Sequence, residues 1–134
     1  MISIFKDFYA MAYQFARKLD PKRGYDGAAE YARHMCTLWM MFSIALGVEL
    51  AMLPSGIPFR DLLGRTRLVG DVVVIVALIL CSMSMNIIIR RTKDLQSYED
   101  ITSRYNRLPR NRLLGLLALV VCTPIVLVLL SIWE

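Results

Sequence analysis

Three long apolar blocks dominate the pattern of hydrophobic and polar positions along the chain. They cover residues 35–53, 68–89 and 113–133, and strongly charged segments separate them. At a rise of about 1.5 Å per residue, roughly 20 helical residues cross a hydrocarbon layer about 30 Å thick. A soluble protein of 134 residues has too small a core to bury three such blocks. We therefore predict three transmembrane helices.

A different pattern precedes these blocks. Residues 2–19 carry apolar side chains at steps of three and four, at Phe5, Phe8, Ala12, Phe15 and Leu19. This spacing forms one face of a helix. Because basic residues flank the phenylalanines, we predict an amphipathic helix that lies in the membrane interface. The alternative is a helix that packs on a partner protein.

Together these elements predict an all-α integral membrane protein with a single membrane domain. Residues 90–112 are expected to form a basic cytoplasmic loop or an extension of the second transmembrane helix. Pro124 falls inside the third block. Because proline lacks an N–H, it leaves the carbonyl of Val120 without its helical partner, and we predict a kink there.

The distribution of basic residues predicts the orientation. Six Lys and Arg residues precede the first block, three lie between the first and second, seven lie between the second and third, and none follows. With three passes, thirteen of the sixteen lie on one side, which the positive-inside rule assigns to the cytoplasm. We expect a multi-pass protein of the plasma membrane, of the bacterial inner-membrane type. Its N-terminus should be cytoplasmic and its C-terminus on the outer side.

Charge and cysteine usage limit the partners and cofactors. The net charge of +5 comes from residues that flank the apolar blocks, which favours binding to anionic headgroups over nucleic acid. Cys36, Cys81 and Cys122 lie inside the blocks without CxxC spacing, so we interpret them as small packing residues. His34 is the only histidine and has no second ligand at metal spacing. We expect no metal and no cofactor.

Glu49 and Asp71 are the acids within the apolar blocks. The first helix runs outward and the second returns, so both acids should lie near the outer ends of their helices at similar depth. An ionised and unpaired acid is costly at such a position. One interpretation is a proton or cation site between the two helices. The other is pairing with Arg65 or Arg67, or contact with headgroup water.

Two further sets of residues predict helix–helix contacts. Asp71, Ser82 and Asn86 lie within roughly 60° of one another on the second helix, which forms a thin polar stripe suited to interhelical hydrogen bonds. On the first helix, Ser43, Gly47 and Ala51 form a small-xxx-small series that lets two helices approach closely. Glu49 projects from the opposite face of that helix.

One enzyme family shares the order of elements. An amphipathic helix followed by three spans resembles the bacterial diacylglycerol kinases, which carry paired glutamates around an Asn-Ser on the second span. The corresponding region here is residues 82–90, and it has the asparagine, Asn86, but neither of the two glutamates. Without carboxylates to hold Mg²⁺, phosphoryl transfer lacks its chemistry. The resemblance implies a shared topology, and we expect no enzymatic activity.

The sequence thus favours an interaction role. We expect a small accessory, scaffold or interaction subunit that assembles with other membrane proteins or with itself, and an immunity-type protein is a special case. The alternative is an oligomeric ion or proton channel or transporter subunit that uses Glu49 and Asp71.

The predicted orientation has a direct test. A reporter fused after Glu134 should be reached by a membrane-impermeant reagent from the outer side of intact cells, because the chain crosses an odd number of times. A reporter before residue 2 serves as the matched control and should react only after permeabilisation. Reaction of both reporters from the same side would contradict three passes.

Overall fold

In the computed structural model, which describes residues 2–22, 24–56, 61 and 67–133, every regular element is a helix. Within these residues the α-helices are α1 (Ile2–Leu19), α2 (Tyr25–Met52), α3 (Arg67–Arg91), α4 (Tyr98–Arg107) and α5 (Arg110–Trp133). Short 3-10 turns follow α2 at Leu53–Ser55 and α3 at Lys93–Leu95.

The three predicted apolar blocks lie in α2, α3 and α5. The structure confirms an all-helical chain with helices long and apolar enough to cross a membrane over Tyr25–Ser55, Gly70–Arg91 and Arg110–Leu130. Helix α2 begins ten residues before its predicted block, so its first part, residues 25–34, extends the helix beyond the apolar stretch.

The segment between the second and third blocks contains a helix of its own. Helix α3 ends at Arg91, and α4 begins after Ser97, whose hydroxyl accepts a hydrogen bond from the backbone N–H of Asp100 at 3.2 Å. This serine is an N-cap, because its side chain satisfies an N–H that has no partner within the helix. Pro109 directly precedes α5, as expected for a residue without an N–H.

Helix α1 packs antiparallel to the beginning of α2. The ring of Tyr13 lies 6.0 Å from that of Tyr25, and the hydroxyl of Tyr9 donates to the carbonyl of Ala29 at 3.4 Å. Further along, Phe8 stacks on Trp39 with a centroid separation of 5.1 Å. Earlier residues of α1 therefore meet later residues of α2.

The buried core lies mainly where α1, the beginning of α2 and α4 meet. We call this unit the head: α1, residues 25–36 of α2, Leu95 and α4. Alanines on both partners of the α1–α2 pair leave room for close backbone approach and for the tyrosines between them. The fully buried side chains of the head include Phe8, Tyr9, Ala10, Tyr13, Ala16, Ala28, Ala32, Cys36, Leu95 and Ile101.

The three long helices bury far fewer of their side chains within the chain than the head does. Helix α2 packs against both α3 and α5 as well as α1, so it is the central one of the three long helices. Most large apolar side chains of these helices are exposed, for example Ile75 (55%), Leu80 (59%) and Leu129 (61%). In the described part of the chain, these surfaces have no cover from the protein itself.

The predicted apolar face of α1 divides between two environments. Phe8 and Ala12 are buried in the head, whereas Phe15 (51%) and Leu19 (65%) are exposed. The buried face also includes Tyr9 and Tyr13, which the apolar spacing did not single out. The structure thus shows that α1 packs within its own chain, and its placement in a membrane interface stays a prediction.

Overpacking the α1–α2 contact should destabilise the head. Ala32 is fully buried, so Ala32→Leu should lower the free energy of unfolding by about 1–3 kcal/mol. Ala118→Leu is the matched control, because Ala118 is exposed on α5. Thermal unfolding in detergent micelles, followed by circular dichroism, measures both. Equal transition temperatures for the two variants would contradict the described packing.

Candidate functional site

Glu49 and Asp71 have different environments. Glu49 is only 2% exposed within the chain, whereas Asp71 is exposed on α3. Arg65 and the side chain of Arg67, the predicted arginine partners, lie outside the described residues. The two acids therefore differ in their burial within the chain, and the similar membrane depth predicted for both stays a prediction.

Among the described residues, a hydrogen bond joins the predicted polar stripe on α3 to α2. Arg33 Nη1 donates to Asn86 Oδ1 at 3.1 Å, which connects α3 to the part of α2 that belongs to the head. Ser82 is half-buried and lines an apolar cleft of about 460 Å³ between α2 and α3, together with Thr37 and Leu78. The partner of the stripe is thus Arg33 of α2, which no helical spacing in the sequence pairs with Asn86.

The small-xxx-small series lies on a face of α2 that the described chain leaves open. Ser43 turns its hydroxyl to the carbonyl of Trp39 at 2.8 Å. Gly47 and Ala51 are exposed, and a Cβ added at Gly47 meets no heavy atom within 4 Å. Close approach of a second helix at this face is sterically open.

Pro124 lies inside α5, as predicted from the sequence. The hydroxyl of the preceding residue, Thr123, donates to the carbonyl of Leu119 at 2.7 Å. Such hydroxyl bonds to a carbonyl four residues back are associated with bent helices. The predicted kink therefore coincides with a second feature that favours bending.

Asp7, which the apolar spacing of α1 did not single out, lies at the centre of a charged cluster. The residue is only 2% exposed in the head, and its carboxylate contacts two arginines from different helices. Arg104 Nε donates to Oδ1 at 2.8 Å, and Arg112 Nε lies 3.0 Å from Oδ2 at an angle that does not give a hydrogen bond. One carboxylate on α1 thus joins α4 to the first turn of α5.

Neighbouring polar groups extend this cluster. Ser3 accepts from Arg104 Nη2 at 3.4 Å and from Arg112 Nη2 at 3.3 Å. Lys6 forms an ion pair with Asp94 at 2.7 Å, which lowers the pKa of that carboxyl group below its usual value. The amino-terminal half of α1 is therefore connected to three later segments of the chain.

The other half of α1 is connected through neutral and aromatic groups. Gln14 Nε2 donates to Thr102 Oγ1 at 3.1 Å, and the guanidinium of Arg17 lies 5.2 Å from the ring centre of Tyr98. Burial raises the pKa of Tyr9 to about 12. Tyr9 therefore stays a neutral donor to α2 at physiological pH.

A polar cleft of about 370 Å³ opens beside Asp7. One side is formed by Ser3 and Asp7 of α1, and the other by Asp100, Ser103 and Arg107 of α4. Pro109 and Arg112 line it at the start of α5, and the remaining lining residues are Asp94, Arg104 and Leu108. The cleft presents guanidinium, carboxylate and hydroxyl groups, which suit a charged ligand better than an apolar one.

The sequence contains one weak indication of the cluster around Asp7. Asp7 is the only acid in α1, where it accompanies three basic residues. Its partners, however, lie 97 and 105 residues further along the chain. No local periodicity encodes such a distant pairing, so helical spacing alone does not predict it.

Comparisons with protein-family models, with curated proteins and with solved structures found no match to this chain. Within the described residues, no group of three or more His, Cys, Asp or Glu side chains is arranged to hold a metal ion.

Neutralising Asp7 should loosen the head. Asp7→Asn leaves Arg104 and Arg112 without their carboxylate, and hydrogen bonds to charged groups contribute about 1.5–3 kcal/mol each. We expect a loss of about 2 kcal/mol in the free energy of unfolding and faster hydrogen exchange in α1. Asp26→Asn is the control, because Asp26 is exposed at the start of α2. Identical exchange of α1 in the two variants would refute the role assigned to Asp7.

Proposed function

We propose that the chain spans a plasma membrane three times and acts as an accessory or scaffold subunit, within a larger membrane complex or a homo-oligomer. In this proposal the head lies on the cytoplasmic side and the spans provide the surface for assembly. An immunity-type protein, which neutralises a toxin by binding it, is a special case of the same interaction role.

The main support for this proposal is the uncovered face of α2 that contains Gly47 and Ala51. Helix α2 is the central span, yet its small residues Gly47 and Ala51 are exposed and open to approach. In hydrocarbon, helices associate through close packing and interhelical hydrogen bonds, because lipid tails are as apolar as the side chains. A small-residue face on the central span therefore favours contact with another helix.

The contrast between the head and the spans supports the same role. The head buries Tyr9 and Tyr13 and pairs Asp7 with Arg104 within one chain, so in this proposal it holds the cytoplasmic ends of the spans in place. The spans bury few side chains of their own. A well-packed head that leaves the surfaces of the spans uncovered suits a protein whose helices bind partners in the membrane.

Filling the open face should prevent assembly. Gly47→Leu adds a side chain where a partner helix would approach, so the native partner should no longer co-purify in mild detergent. Gly115→Leu is the matched control, since Gly115 is also exposed on a span, with no heavy atom within 4 Å of an added Cβ. A partner, or a second tagged copy, should co-purify with wild type and with the control.

Equal recovery of the partner with Gly47→Leu and Gly115→Leu would contradict the proposed interface. Circular dichroism of each purified variant confirms that the chain is folded before the comparison is made.

The competing class, an ion or proton channel subunit, makes a different prediction. If the chain is a scaffold, proteoliposomes that contain wild type, Glu49→Gln or Asp71→Asn should take up protons and cations no faster than empty liposomes. A proton or cation flux in wild type that either substitution abolishes would overturn the scaffold proposal. A pH-sensitive dye inside the liposomes measures the proton component.

A further inference from the structure

The polar cleft beside Asp7 lies where the head meets a span. Pro109 and Arg112 line it at the start of α5, and the apolar run of that helix begins at Leu113. In a chain that spans the membrane, charged residues one turn from the apolar run lie at the level of the lipid headgroups. Its volume of about 370 Å³ is within the range of small-ligand clefts, about 300–1,000 Å³.

Two charged side chains in the cleft have no ion-pair partner among the described residues: Asp100 and Arg107. Both are exposed and lie seven residues apart on α4. At about 100° per residue this spacing places them on the same face of the helix. Ser103 lies between them on that face and also lines the cleft.

The paired arginines also keep hydrogen-bond donors. Arg104 uses Nε and Nη2, and Arg112 uses Nη2 for Ser3, so their Nη1 groups make no hydrogen bond within the described residues. A guanidinium has five N–H donors in a fork that matches phosphate oxygens. With Arg107, three guanidinium groups face the cleft with donors to spare.

We propose that this cleft binds the headgroup of a phospholipid that carries both a phosphate and a primary ammonium, as in phosphatidylethanolamine. The phosphate oxygens accept hydrogen bonds from Arg107 and from the free donors of Arg104 and Arg112. The ammonium group donates to the carboxylate of Asp100.

The mixed charge of the lining favours this headgroup over a purely anionic one. An anionic headgroup without an ammonium leaves the Asp100 carboxylate beside a second negative charge, and like charges repel. A quaternary ammonium, as in phosphatidylcholine, has no N–H to donate to Asp100. The site lies within one chain, so it does not depend on the proposed assembly.

Native mass spectrometry of the purified full-length chain tests the proposal. The probes are phosphatidylethanolamine, phosphatidylglycerol and phosphatidylcholine with identical acyl chains. Wild type should bind phosphatidylethanolamine about tenfold more tightly than the other two, the effect of one charge-assisted hydrogen bond. Arg107→Gln should weaken binding of phosphatidylethanolamine about tenfold.

Asp100→Asn separates the two halves of the site. It should remove the preference for phosphatidylethanolamine over phosphatidylglycerol while phosphate binding survives. The hydrogen bond that caps α4 joins the backbone N–H of residue 100 to the hydroxyl of Ser97, so the substitution of the side chain leaves the cap unchanged. Arg91→Gln, at an exposed arginine outside the cleft, is the control and should bind lipid as wild type does.

Three results would overturn the proposal. The first is equal binding of all three lipids by wild type. The second is unchanged binding of phosphatidylethanolamine in both Arg107→Gln and Asp100→Asn. The third is full displacement of the lipid by an equal concentration of soluble glycerophosphoethanolamine, which would assign the cleft to a soluble phosphate compound instead.

Discussion

Hydrocarbon offers no hydrogen bonds, and in a chain that spans a membrane this constraint would account for the division into long apolar helices and a polar head. A helix satisfies its own backbone, so long apolar helices are stable in lipid, whereas charged side chains there need partners. In the proposed placement the chain meets this requirement because the ion pairs of Asp7 and Lys6, among the described residues, lie together at one end. Asp7, Lys6 and their partners all lie in the head or at the first turns beside it. The spans are then free to present apolar surface.

The carboxylate of Asp7 connects α1 to α4 within the head and to the first turn of the long helix α5. It contacts Arg104 of α4 and Arg112 of α5 from a helix that itself packs on α2. A buried carboxylate is tolerable here because two guanidinium groups compensate its charge. The cleft beside it follows from the same arrangement, since each arginine that holds Asp7 also has donors directed elsewhere. The structural contacts and the proposed lipid site therefore share the same side chains.

The sequence predicted the helices well because their signals are local. Apolar runs of about 20 residues and a three-to-four spacing in residues 2–19 do not depend on distant parts of the chain. The separate helix α4 was harder to predict, because it is short and polar and its N-cap, Ser97, is a single residue. Asp7, Arg33 and Arg104 were missed for a different reason. Their partners lie 97, 53 and 97 residues away in the sequence. The packing of α1 on α4 brings Asp7 to Arg104, and the packing of α2 on α3 brings Arg33 to Asn86.

Accessibility of the spans to oxygen and to a polar reagent tests the membrane placement most directly. A nitroxide attached at residue 75 or 129, after the three native cysteines are replaced by alanine, reports collisions with both reagents in proteoliposomes. We expect frequent collisions with oxygen, which dissolves in hydrocarbon, and few with a water-soluble nickel complex, because Ile75 and Leu129 are exposed from the protein but would face lipid. If the label collided with the nickel complex as often as a label in water does, residues 75 and 129 would not face lipid, and the membrane placement would be wrong.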